Sequence, residues 1–411
     1  MAVRTFARKA SKARGARVRV TEATPSQAKA HVFAPSNVKK IQMEEVDPDR
    51  EVRFRMPVRR VKPSRRAGVD LGAMGLAIWN ALKDNVSGYI LHVRQNGTLV
   101  HVGVWNWAQT PADAAQGWTE NTRMHLASVS KFLTAVGMVD LLDTKGMSYD
   151  TPIINYLPAH WSKGSNVNKI TFRHLMTHTS GFVTGGSSTD YATMKARVAA
   201  GVPAVGSYDY ENMNFGLCRL LIPIINGNIS KNASYTPSYL NDAFWDLNTI
   251  NAYQAYMQAK VFTPSGVANA DFEPLPSTPD ALAYPFPYLN IKGWNSGDLK
   301  TVAGGAGWRL SVKEVLNVMN HVRRKNTIIT AAKAQYMLDN RFGIDQIINT
   351  AAGKLYNKNG SWGTGDGKTE QCVAYFLPQN MELAILVNSK ISTSGFSLRT
   401  IVKDAYVNSL T

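Results

Sequence analysis

Two cysteines in 411 residues, Cys218 and Cys372, are too few for a disulfide framework and cannot form a metal site by themselves. Isolated cysteines in a chain of this size are mostly small buried hydrophobes. Long apolar runs are also missing: no uncharged stretch reaches the ~18 residues that a membrane-spanning helix needs. The basic N-terminal residues have no apolar stretch of ~7–15 residues behind them, so no secretory leader is visible. The expectation is a cytoplasmic or organellar protein rather than a secreted one, unless a signal has already been removed. Catalytic signatures of several classes fail too. No Gly-x-Ser-x-Gly occurs and the last histidine is His321, so an α/β-hydrolase triad has little support. His174 and His178 are four apart, but Leu175 follows the first, so the zinc-protease pattern breaks down. The GTGDGKT stretch (363–369) has Trp362 where a phosphate loop needs glycine, and an apolar strand follows it; it reads as a strand connection.

What is present is core and charge. Hydrophobic residues make up 44% and charged residues 18%, enough to bury a sizeable interior and to exclude low-complexity and wholly disordered chains. The net charge of +17 is concentrated in residues 1–66, which carry 18 of the 46 Lys and Arg but only 6 of the 29 Asp and Glu. That segment has no sustained helical periodicity and reads as an extended basic arm, with a body over 67–411. The arm has three readings: a tail for an acidic partner, an organelle-targeting segment, or a clasp on a neighbouring subunit.

The body opens with a helical pattern, LGAMGLAIWNALKD, then a hairpin pattern turning at Asn96-Gly97. A helix is expected from Met124 to Leu142, another over 212–224 and a third over 311–324. Residues 225–300 show little periodicity and suggest loops, whose aromatics (Trp245, Tyr253, Tyr256, Tyr284, Phe286, Tyr288, Trp294) either line a cleft or pack beneath the loops. QCVAYFLP and MELAILVNS read as two strands before a closing helix. The order predicts a mixed α+β chain without internal repeats.

Ser128 and Lys131 are three apart at the start of the expected helix, so they share a face. A helix N-terminus favours negative charge developing on a hydroxyl, and burial lowers the pKa of a lysine that could take its proton. On these two residues alone the spacing is common by chance, and the simpler reading is a serine that merely caps the helix.

The surroundings add more. HLASVSKFLTAVGMVDLLDTKGMSYDTPIINYLP, ITFRHLMTHTSGF, YDYENMNFGLCRLLI and NKNGSWGTGDGKTEQCVAYFLPQNMELAILVNS occur in this order. Together they resemble the serine β-lactamase and penicillin-binding-protein superfamily, especially its class C β-lactamase, family VIII-type esterase and D-aminopeptidase branch. The resemblance spans about residues 69–411 and omits the arm. It implies a β-lactamase/transpeptidase-like fold, an antiparallel sheet flanked by helices beside an all-helical half. It further implies a serine hydrolase that acts on an ester, amide or β-lactam through an acyl-enzyme, with no cofactor and no metal. By position, Ser128 would be the nucleophile, and Lys131 with Tyr210 would handle its proton. Asn212 would orient Lys131 and the substrate, and Lys358 would add charge beside Tyr210. The backbone N–H groups of Ser128 and Ser361 would form an oxyanion hole, and Asn359 and Gly360 would contact substrate. Three departures bear on the substrate: Asn359 stands where threonine is usual, Glu211 where a small residue is usual, and Lys358 where esterase relatives often carry His or Trp. Lys358 suits a substrate carboxylate, whereas Glu211 would repel one if it faced the cleft. A small-molecule substrate is expected, with a homo-oligomer or an acidic partner engaged through the arm. The rival reading is a non-enzymatic structural or assembly protein that keeps this fold and works through its arm.

Overall fold

Asn96 and Gly97 both take positive φ, 53° and 77°, and so close the tight turn between β1 (Gly88–Gln95) and β2 (Thr98–Gln109). The computed structural model describes residues 68–183, 186, 188–288, 290–392 and 397–411; the basic arm, with the readings attached to it, lies outside the described residues. Two short strands follow, β3 (Gln116–Gly117) and β4 (Arg123–His125), and β5 (Arg309–Ser311) comes much later. The chain ends with β6 (Gln346–Thr350), β7 (Gly353–Gly363), β8 (Thr369–Leu377) and β9 (Met381–Val387). Seven strands form one sheet in the order β3-β2-β1-β9-β8-β7-β6, with β4 and β5 pairing separately; every ladder is antiparallel.

Central β9 is buried at every position, because both faces of the sheet are covered. This explains why MELAILV, Glu382 apart, is an apolar run rather than an alternating one. One face carries Leu355, Val373, Tyr375, Leu383 and Ile385 against α1 (Leu71–Leu82) and the last helix. The other presents Tyr356, Cys372, Ala374, Phe376 and Leu386 to the helical half. Asp70 caps α1 by accepting hydrogen bonds from the Gly72 and Ala73 amides, both at 3.0 Å.

The helical half is built around α2 (Ser130–Thr144), apolar on nearly all sides and correspondingly buried. Around it lie α3 (Phe172–Met176), α4 (Tyr191–Ala200), α5 (Asn212–Asn226) and α6 (Asn241–Met257). Further along come α7 (Val312–Asn320), α8 (Ala331–Asp339) and the closing α9 (Leu398–Val407). The architecture is the expected one: an antiparallel sheet with helices on both faces beside a helical half.

Two expectations need correction. The helix predicted from Met124 starts only at Ser130: Arg123–His125 pair with β5 as a strand, and Ala127–Val129 form a single 3-10 turn. The region 225–300 is not all loop, since α6 runs through it. Trp245, Tyr253, Tyr256 and Tyr284 are buried and pack in the interior, whereas Phe286, Tyr288 and Trp294 are half-buried. Trp245 stacks on Tyr191 with ring centroids 5.3 Å apart, a tertiary contact that no local periodicity announces. The 363–369 stretch is the turn between β7 and β8, as read. Among the described residues no helix is long and apolar enough to cross a membrane.

Candidate active site

The short β4–β5 pair sets the site. Arg123 leaves β4 held by Glu314, its Nε and Nη2 donating to the two carboxylate oxygens at 2.9 and 2.6 Å. His125 Nε2 accepts from the Gly307 amide at 3.1 Å while Nδ1 faces the buried Glu370 at 3.2 Å. The chain then turns through Ala127, which has φ +46°, a conformation that costs a non-glycine residue about 1–2 kcal/mol. Ser128 follows in the 3-10 turn, and because that turn repeats every three residues, Lys131 stacks directly above it.

Lys131 is fully buried. Its Nζ lies 2.9 Å from Ser128 Oγ, 2.7 Å from Asn212 Oδ1 and 2.7 Å from the Gly305 carbonyl. The ammonium donates to all three. Once it loses a proton, the amine keeps two donors for Asn212 and Gly305 and is left with a lone pair on the side of the serine hydroxyl. Burial is the main force on Lys131 and brings its pKa down to about 8, with Lys358 lowering it further against the opposing pull of Tyr210.

Tyr210 comes from the loop before α5, two residues ahead of Asn212. Burial would raise its hydroxyl pKa, but Lys131 and Lys358, with hydrogen bonds to Ser128 and Lys131, bring it below the ordinary value. His178 supports it from behind, its ring 4.4 Å from the tyrosine ring and tilted by 30°. His178 Nδ1 accepts from the Glu211 amide at 3.1 Å, so it acts on the backbone next to Tyr210. Burial, then the two lysines, push the imidazole pKa down to about 2, so it stays neutral.

β7 forms the opposite wall. Gly360 passes so close to the turn that a Cβ there would lie 2.4 Å from the Leu126 carbonyl and 2.7 Å from the Ser128 nitrogen. The pairing of β6 with β7 ends at Gln346↔Asn357, which leaves the following β7 backbone free of a strand on that side. The Asn357 carbonyl accepts from the Asp345 amide at 2.8 Å and the Asn359 amide donates to Asp345 Oδ2 at 3.1 Å. Strand alternation therefore turns the Ser361 N–H to the same open edge.

Lys358 Nζ lies 3.5 Å from the Tyr210 hydroxyl and 2.5 Å from Asp345 Oδ1. Burial works against its charge, but Tyr210 and Asp345 outweigh it and hold its pKa above the usual lysine value. Asn359, on the other face of β7, accepts at Oδ1 from Arg399 Nη1 of α9 at 3.2 Å. A cavity of about 740 Å³ opens here, lined among others by Ser128, Tyr208, Tyr210, Arg341, Asp345, Asn359, Gly360, Ser361 and Arg399.

The structure thus brings Ser128, Lys131, Tyr210, Asn212, Lys358, Asn359, Gly360 and Ser361 to one place. Glu211 does not face the cleft; it is 3% exposed and absent from the cavity wall. Neighbouring serines are occupied elsewhere: Ser130 Oγ accepts from the Trp308 amide at 3.3 Å, and buried Ser180 donates to Asn214 at 2.5 Å. His174 closes a capping box with Thr171 and takes no part. Among the described residues no cluster could hold a metal ion, and both cysteines are buried. Sequence reasoning missed Asp345, the Gly305 carbonyl, Arg399 and the contact of His178 with Tyr210. Of these only Asp345 left a trace, since a hairpin folded at Gly353 places it across from Lys358.

Comparison with known proteins agrees with the fold. A family model described as Beta-lactamase matches residues 77–406. The fold is similar to that of FmtA from Staphylococcus aureus at 16% identity, covering 85% of this chain and 93% of that one, with a TM-score of 0.61. It is also similar to the octameric penicillin-binding protein homologue from Pyrococcus abyssi (17% identity, 78% and 72% coverage, TM-score 0.59). The D-amino acid amidase from Ochrobactrum anthropi SV3 is a third such structure (15% identity, 82% and 98% coverage, TM-score 0.59).

Proposed function

The chain belongs to the Beta-lactamase family, and from that premise we propose that it hydrolyses or transfers the acyl group of an ester, amide or lactam through an acyl-Ser128 intermediate. The observation that carries this reading is the 2.9 Å contact between Ser128 Oγ and a buried Lys131 whose other partners are both acceptors. Ser128 Oγ attacks the substrate carbonyl carbon while its proton passes to Lys131 Nζ or the Tyr210 oxygen. The carbonyl oxygen gains the electron pair and rests on the N–H groups of Ser128 and Ser361; one such donor is worth on the order of 2.7–4 kcal/mol. As the tetrahedral centre collapses, the bond to the leaving group breaks and the leaving group takes up that same proton, passed on through the Tyr210 hydroxyl, so that Lys131 and Tyr210 return to their starting states. Water, or an acceptor amine or alcohol, then attacks the ester carbon with the same groups taking its proton, and Ser128 is restored.

Asn212 fixes Lys131, and Lys358 holds charge beside Tyr210. The amidase neighbour makes D-amino acid amides sensible first substrates, with short-chain p-nitrophenyl esters as neutral reporters. In this reading the basic arm serves association and not chemistry. The test is steady-state turnover of a p-nitrophenyl ester: Ser128→Ala should lose it by on the order of 10⁴-fold or more. Turnover retained in that variant would overturn the assignment.

A further inference from the structure

Lys358 is already engaged. Asp345 Oδ1 lies 2.5 Å from its Nζ, and the other carboxylate oxygen accepts the Asn359 amide at 3.1 Å. One carboxylate thus takes up both the Lys358 ammonium and the Asn359 amide. Its own backbone is fixed by the bond from the Asp345 amide to the Asn357 carbonyl at 2.8 Å. The pair is deep: the Lys358 side chain is 2% exposed and that of Asp345 11%. Asp345 nevertheless forms part of the cavity wall beside Ser128. We propose that Asp345 is a specificity-determining residue: its carboxylate fills the place where an anionic group of a substrate would meet Lys358, and so directs the site to acyl compounds uncharged at that end. This rests on the acyl-Ser128 reading, and it names the substrate class of that site.

The physical argument is one of exclusion. A substrate carboxylate approaching Lys358 meets a fixed negative charge before it meets the ammonium. Building a like charge against a wrong ligand is a common source of selectivity. Displacing Asp345 would leave a buried carboxylate without its partner, which is strongly unfavourable. Arg341 and Arg399 also line the cavity and form no ion pair among the described residues. The Asn359 side chain that Arg399 grips is on the opposite face of β7 from Lys358, so Arg399 does not substitute for the ammonium at that point.

The experiment compares benzylpenicillin with its methyl ester, two probes that differ in one charge. Their dissociation constants are measured by calorimetry on Ser128→Ala protein, with and without Asp345→Asn. Because binding to this background needs no acylation, failure of the acyl-Ser128 reading and failure of this inference are separate results. Asp345→Asn should shift the ratio of affinities toward the free acid by about tenfold or more, the scale of one repulsive contact exchanged for an attractive one. Asp345→Glu, which retains the charge, should keep the preference for the ester. An unchanged ratio, or no measurable binding of the acid to the Asp345→Asn protein, overturns the proposal. If Asp345→Asn does not fold, Lys358→Met in the otherwise native chain decides. It should cost neutral esters and carboxylate-bearing esters the same factor in kcat/KM, and a selective loss on the charged ester overturns the proposal.

Discussion

Lys131 and Lys358 stand over the same tyrosine ring, 4.9 and 4.8 Å from its centroid, and both are buried, yet their pKa values move in opposite directions. Lys131 has neutral partners, a hydroxyl, an amide oxygen and a carbonyl, and burial brings it down to about 8. Lys358 has a carboxylate at 2.5 Å, and its pKa rises in spite of burial. The difference teaches that depth alone does not make a base. A buried amine holds its proton less tightly when its neighbours carry no charge, and more tightly when one of them is an anion. On the proposed reading the first lysine is suited to take a proton and the second to remain a cation.

The comparison breaks most visibly if the two are exchanged in role. Lys131→Ala and Tyr210→Phe should each lower kcat by about 10²–10⁴-fold, with little change in KM, in steady-state assays on a slow-acylating ester. The double variant should lose less than the product of the two losses, because both residues serve one proton. Additive losses would separate their roles. Next in size is Gly360→Ala. A methyl group pressed against the Leu126 carbonyl and the Ser128 nitrogen forces β7 away from the turn, and a displacement of that order costs about 10²-fold in kcat. Thermal unfolding should change far less than the rate.

Lys358→Met sharpens the comparison through pH. Lys358 is one of the charges that lower the pKa of Lys131, and Asp345 raises it. Removing the ammonium leaves Asp345 uncompensated, so Lys131 binds its proton more tightly. Activity that needs neutral Lys131 should then switch on at higher pH than in the native protein, which a kcat/KM–pH profile measures. A shift to lower pH would mean that Lys131 is not the group that titrates. The smallest effect on catalysis concerns the arm. A chain beginning at Ala67 should keep kcat/KM within about twofold, while binding to a polyanion such as heparin, measured at low and high salt, should fall away and lose its salt dependence. Lost hydrolysis in that chain would place the arm in the active site.

Much of this was legible in the residues because the signals were local. Asn96-Gly97 closes a hairpin whatever surrounds it, and the three-residue spacing of Ser128 and Lys131 survives the change from helix to 3-10 turn because both conformations stack those positions. The strands β8 and β9 declared themselves as apolar runs. Other features depended on partners distant in sequence. Met124 and His125 look helical until Leu310 and Arg309 pair with them, and α6 hides its apolar side among polar residues because its aromatics pack on several different neighbours. Asp345 carries no motif. Its meaning comes from the register of β6 against β7, which brings it to Lys358 thirteen residues on.

The central claim, that a buried neutral Lys131 activates Ser128, is tested most directly by the rate at which a fluorophosphonate labels the protein between pH 6 and 9.5, followed by intact mass and mapped to a peptide. The account predicts a single adduct on Ser128 whose rate climbs with an apparent pKa of about 8. A rate independent of pH, or an adduct that maps to Ser130 or Ser180, would contradict it.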